Sequence, residues 1–183
     1  MLTLAERGAL LRLARDTIAA LLSGGEPPSP VQLTDPQNHS GAFVTLHVDG
    51  DLRGCIGHPG SDRPLDQVVG QCAVAAATED PRFPPLTAGE LPQVDIEVSV
   101  LTPIRRVGDV REIEVGRDGL VVQDGYRRGL LLPQVATERG WDRDTFLSHT
   151  CLKAGLRPDA WRTGATISRF EAEVFSERSE RRA

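Results

Sequence analysis

A chain of 183 residues, 39% hydrophobic and 26% charged, can bury a full core without a metal or disulfide staple. Its net charge of −5 and 4% aromatic content argue against nucleic acid as a partner, since scattered arginines and few rings offer no stacking platform. Three widely spaced cysteines, Cys55, Cys72 and Cys151, provide no C-x-x-C pair, so neither a disulfide framework nor a metal or cofactor site is read from them.

Thr3-x-x-Glu6 is a capping box, and Leu10, Leu13, Ile18 and Leu21 follow with helical spacing. An amphipathic helix is therefore expected from about 4 to 23, stopped by Gly24-Gly25. Four prolines between Glu26 and Pro36 predict an extended surface loop. Phe43–Val48 reads as a strand, and Asp49-Gly50 is the dipeptide of a tight hairpin returning through Leu52–Ile56. Pro64 suits a first helical position, with Ser61 or Asp62 as cap, for a helix whose stripe is Leu65, Val68, Val69, Cys72 and Ala76. The prolines of Asp80-Pro81-Arg82-Phe83-Pro84-Pro85 exclude regular structure, and Thr87-x-x-Glu90 caps a single turn.

Val94, Ile96, Val98 and Val100 alternate with Asp95, Glu97 and Ser99, the pattern of a strand with one solvated face. Asp118-Gly119 and Asp124-Gly125 bracket a second hairpin running to Leu132. Pro133 opens a short helix, and Asp142 caps a longer one from about Arg143 to Ala154. Thr166–Phe175 is a last strand, followed by a polar tail expected to fray over 178–183. Hairpins with flanking helices, and no regular βαβ alternation, make the chain α+β with an antiparallel sheet. No apolar run is long enough to span a membrane, and the charged N-terminus lacks the apolar centre of a signal peptide, so a cytoplasmic protein with reduced thiols is expected.

The densest chemistry lies in Leu52-Arg53-Gly54-Cys55-Ile56-Gly57-His58. A two-residue turn at Asp49-Gly50 would place Val44, Leu46, Arg53 and Cys55 on one hairpin face, with Arg53 near enough to favour thiolate. Gly54 and Gly57 would admit a ligand or another backbone, and His58 is a candidate base. Pattern alone favours the plainer reading, a strand cysteine packed as a small hydrophobe with glycines marking a bulge. Cys72 and Cys151 fall on buried stripes, and His149 and Lys153 share another helix face. Asp80 and Arg82, in a rigid loop, either line a cleft or close a salt-bridged corner.

Several segments carry a resemblance. Gly41-Ala42-Phe43-Val44-Thr45-Leu46, Leu52-Arg53-Gly54-Cys55-Ile56-Gly57, Asp80-Pro81-Arg82-Phe83 and Ile96-Glu97-Val98-Ser99-Val100-Leu101 resemble the signature of the AMMECR-one domain family. Gly129–Val135, Phe146-Leu147 and Cys151-x-Lys153-Ala154-Gly155-Leu156 follow in the family's order, so one such domain is expected over residues 4–177. The resemblance implies two α+β subdomains with a cleft between them and Cys55 near it. It also implies an association with a Memo-like protein and a radical SAM protein in a modification pathway, although the cysteine spacing of a radical SAM cluster is absent here. Two functions are weighed. In one, Cys55 is a nucleophile or transient acceptor, with Arg53, Arg82 and Glu97 lining the site. In the other, the chain is a non-catalytic binding or scaffold module. Lys153, the one lysine among 21 basic residues, falls inside a family-like segment and is added to the candidate binding residues, with Lys153→Arg expected not to be silent.

Overall fold

The capping box forms as its spacing predicts. In the computed structural model, which describes residues 2–180, Thr3 accepts from the Glu6 N–H and Glu6 returns a carboxylate to the Thr3 N–H, opening helix α1 (Leu4–Ser23). Gly24, at φ 70°, ends it in the left-handed conformation that glycine adopts without strain. Leu10, Leu11, Leu13, Ala14 and Ile18 are buried, whereas Leu21, placed on the same stripe by sequence, is exposed. Strands β1 (Gly41–Val48) and β2 (Asp51–His58) follow, joined at Asp49-Gly50 with φ of 53° and 90°. Positive φ at both positions is the mark of a type I′ turn.

Helix α2 (Leu65–Thr78) starts one residue later than expected. Pro64 occupies the cap position with no side-chain cap, and the Leu65 N–H donates to the Pro36 carbonyl. Ser61 instead accepts from the Arg63 N–H. Next come β3 (Val94–Leu101), the two-residue β4 (Arg105–Arg106), β5 (Asp118–Asp124) and β6 (Arg127–Leu131). Helices α3 (Pro133–Glu138) and α4 (Arg143–Lys153), then β7 (Thr166–Ser176) and α5 (Glu177–Glu180), complete the chain. The result is an α+β fold on antiparallel strands.

The chain divides into two units, residues 1–100 with 173–183 and residues 101–172. In the first unit the strand order is β2-β1-β3-β7, with α2 on the hairpin and α1 against α2. Its core joins α1 and α2 to Val44, Leu46, Ile96, Val98 and Phe175. In the second unit β7 pairs with β5 and β4, and β6 ends the order beyond β5. Leu120, Val122, Ile167, Phe146, Leu147 and Cys151 form that unit's core under α4.

Two expectations need correction. Ser99 is 2% exposed, so Asp95, Glu97 and Ser99 do not form an evenly solvated strip. The polar tail expected to fray over 178–183 is instead helical as far as Glu180, within α5, because this segment has partners. Glu177 takes two hydrogen bonds from Arg15 and one from the Ile96 N–H, while the Arg178 N–H donates to Asp95. Residues 181–183 lie outside the described part. No helix among the described residues is long and apolar enough to cross a membrane.

Candidate functional site

The site is built on β2, the edge strand of the first unit. Regular pairing from the turn would set Leu46 opposite Arg53. Instead a bulge intervenes, Leu46 pairs with Gly54, and Thr45 pairs with Cys55. A one-residue shift turns every following side chain to the other face. The expected grouping of Cys55 with Val44 and Leu46 is therefore overturned: those two are fully buried, and Cys55 lies half-buried on the opposite, outer face.

Gly54 now points at α2, where an added Cβ would lie 2.2 Å from the Ala76 carbonyl oxygen. Only a glycine lets the helix approach this closely. Gly57 lies across from Phe43 on the outer face, and the Phe43 ring occupies the space its side chain would take. The bulge thus assigns distinct jobs to the two glycines. Gly54 seats the helix, while Gly57 is covered by a ring.

Asp80 and Arg82 complete the edge. An outermost strand presents every second N–H and C=O to solvent. At Cys55 the N–H donates to Asp80 Oδ2 at 2.8 Å, and Arg82 Nη2 reaches the Cys55 carbonyl at 3.4 Å. Arg82 also grips Asp80 through Nε at 2.9 Å and Nη2 at 2.7 Å. The guanidinium holds the Asp80 carboxyl well below the usual carboxylate range although burial pushes the other way. The Asp80–Arg82 pair thus meets the edge groups that a further strand would otherwise take.

Arg53 is equally committed. It forms a two-pronged pair with Glu90 at 3.0 and 3.3 Å, donates to the Pro84 carbonyl, and stands 6.0 Å from the Phe83 ring centre. Glu90 also accepts from the Thr87 N–H and hydroxyl, and these donors with Arg53 lower its pKa to about 2. The Cys55 thiol accepts a hydrogen bond from the Thr45 hydroxyl at 3.2 Å.

The structure therefore brings Arg53, Gly54, Cys55, Gly57, Asp80 and Arg82 into one cluster. Glu97 lies on β3 between Ile96 and Val98, both fully buried, and so faces away from the core, as Cys55 does. His58 falls on the other side of β2 by alternation and lines a groove of about 580 Å³ along α2 with Asp66, Gln71 and Glu79. This candidate base therefore faces away from Cys55. Lys153 belongs to the second unit, exposed at the end of α4. Cys72 and Cys151 are fully buried, and burial pushes the Cys72 thiol up to about 11. Sequence reading missed Thr45, Phe43 and Glu90 as site residues. The Thr87-x-x-Glu90 spacing revealed Glu90 as a capping residue, but nothing local announced its pairing with Arg53.

The AMMECR1 family model matches residues 11–175. Protein Mbar_A1807 of Methanosarcina barkeri is 47% identical over 188 residues, covering 97% of this chain and 93% of its own. Protein MJ0810 of Methanocaldococcus jannaschii is 45% identical over 186 residues, with 97% and 92% covered. The crystal structure of the uncharacterized protein PH0010 from Pyrococcus horikoshii superposes with a TM-score of 0.84 at 41% identity, covering 94% of this chain and 92% of that one. With its fold and nearly its whole length shared, the chain belongs to the AMMECR1 family.

Proposed function

We propose that this chain is a binding component of a cytoplasmic modification pathway, presenting the outer face of the β1–β2 hairpin to a protein partner. The observation that carries the reading is the commitment of both guanidiniums beside Cys55. Arg53 is matched by Glu90 and Arg82 by Asp80. An activated nucleophile needs an adjacent base or an uncommitted cation, and His58 lies on the other side of the strand. What remains is a rigid, charge-matched face with Phe43, Thr45 and Cys55 across its centre. Memo-like and radical SAM proteins are the partners that the family resemblance proposes.

Affinity capture with co-expressed Memo-like and radical SAM proteins tests this. Cys55→Ser is expected to be captured like the parent and to sustain pathway output. A folded Phe43→Ala variant should be captured less well, by about 10-fold if one buried aromatic anchor is lost.

A second reading, Cys55 as nucleophile or transient acceptor, draws support from its exposure, since the other two thiols are buried. Iodoacetamide labelling across pH separates the two. A Cys55 thiol that reacts well below the ordinary value of about 8.5, with pathway output lost in a folded Cys55→Ser variant, would replace the binding proposal.

A further inference from the structure

We infer that the outer edge of β6 is a docking site for an extended acidic peptide, which adds to the second unit's sheet as a further strand. β6 ends the strand order, so one of its edges has no neighbouring strand. The β5–β6 hairpin turns through Gly125-Tyr126 and pairs Asp124 with Arg127, Gln123 with Arg128, Val122 with Gly129 and Val121 with Leu130. In a two-residue hairpin the pair flanking the turn exchanges hydrogen bonds, and alternate pairs do so thereafter. Arg127, Gly129 and Leu131 therefore bond inward to β5, while the N–H and C=O groups of Arg128 and Leu130 point outward. Among the described residues those outward groups meet no hydrogen-bond partner. The contrast is with β2, whose outward groups at Cys55 are taken by Asp80 and Arg82.

The edge is held ready. Gly129 abuts α4 so closely that an added Cβ would lie 2.4 Å from the Ala154 nitrogen, and Arg127 donates to the Gly155 carbonyl. A strand pinned this way loses little freedom when a peptide pairs with it. The turn also leaves Tyr126 fully exposed as an aromatic contact.

Charge selects the occupant. Arg127 and Arg128 are exposed and make no salt bridge among the described residues, and exposed Lys153 is next in the chain to Ala154, which packs on Gly129. An acidic strand would complement these cations. A second copy of this chain pairing edge to edge would gather four arginines on one narrow strip, and like charges opposed across strands are unfavourable. This inference does not depend on Cys55 or on the hairpin face proposed above.

The probe is a fluorescein-labelled hexapeptide alternating glutamate and valine, followed by fluorescence anisotropy and amide NMR on the full chain. Binding should shift the Arg128 and Leu130 amides. Arg128→Pro deletes one outward donor at an edge position where proline is tolerated. It should weaken binding by about 10-fold, the order of one main-chain hydrogen bond plus one charge. Arg128→Gln keeps the donor and should weaken binding less while flattening its salt dependence, and Lys153→Glu should weaken it as well. Should Arg128→Pro fail to fold, the same hexapeptide methylated on alternate amide nitrogens tests backbone pairing on the parent chain, where it should not bind. The inference is overturned if the peptide does not bind, if the shifted amides lie elsewhere, if methylation is without effect, or if sedimentation shows the chain self-associating through β6.

Discussion

At the residue scale, Asp80 is the group on which the site depends most. Its carboxylate is 2% exposed, accepts the Cys55 N–H, and carries the charge that fixes Arg82. Removing an acceptor from a buried donor costs the desolvation of what is left behind. Asp80→Ala should therefore lose about 2–3 kcal/mol in urea unfolding, and Asp80→Asn, which keeps an acceptor for Cys55, about 1–2 kcal/mol. The pH dependence has a definite sign. Arg82 depresses the folded-state pKa of Asp80, so this contribution is complete above the unfolded carboxyl value of about 3.9 and is lost as pH falls toward the folded one. The parent should weaken between neutral pH and pH ~3 by more than Asp80→Asn does. Equal losses in the two proteins would mean that the charge of Asp80 contributes nothing.

At the element scale, the β1–β2 hairpin turns on a single extra residue. Asp49-Gly50 was legible because positive φ at both turn positions demands such residues. The alternation in β3 and the caps at Thr3 and Asp142 were legible for the same local reason. Gly54 and Gly57 hinted at a bulge, but its position at Arg53 was not legible, because it serves contacts remote in sequence: Gly54 must meet Ala76, and Arg53 must meet Glu90. Gly54→Ala drives a methyl into a backbone carbonyl and should cost about 3 kcal/mol or more in chemical denaturation. Gly50→Ala, in open space at φ 90°, should cost only about 1 kcal/mol of backbone strain. The reverse order would show that α2 does not rest on Gly54.

At the scale of the whole molecule, the first unit is discontinuous, assembled from residues 1–100 and 173–183. Arg15 ties its parts together, donating to Glu177 and to the carbonyls of Leu91 and Val94. Glu177 also accepts from the Ile96 N–H. Arg15→Ala and Glu177→Ala should each cost about 2–4 kcal/mol, and the double variant clearly less than their sum, because each removes the partner of a half-buried charge. Additive losses in a double-mutant cycle would show that the two do not act as a pair.

Taken by itself, the sequence determined what short-range chemistry controls: caps, turn dipeptides, alternation, the burial of Cys72 and Cys151, the α+β class and the family resemblance. It also singled out Arg53, Cys55, Asp80 and Arg82, which do converge. The tertiary structure alone decided how they converge, because the partners are separated by 25 residues or more in Cys55–Asp80 and Arg53–Glu90. No local propensity encodes such pairings, and glycines that mark a bulge do not say which residue it displaces. That one-residue slip turned Cys55 outward and His58 toward α2, and left the Asp80–Arg82 pair to cap the sheet edge.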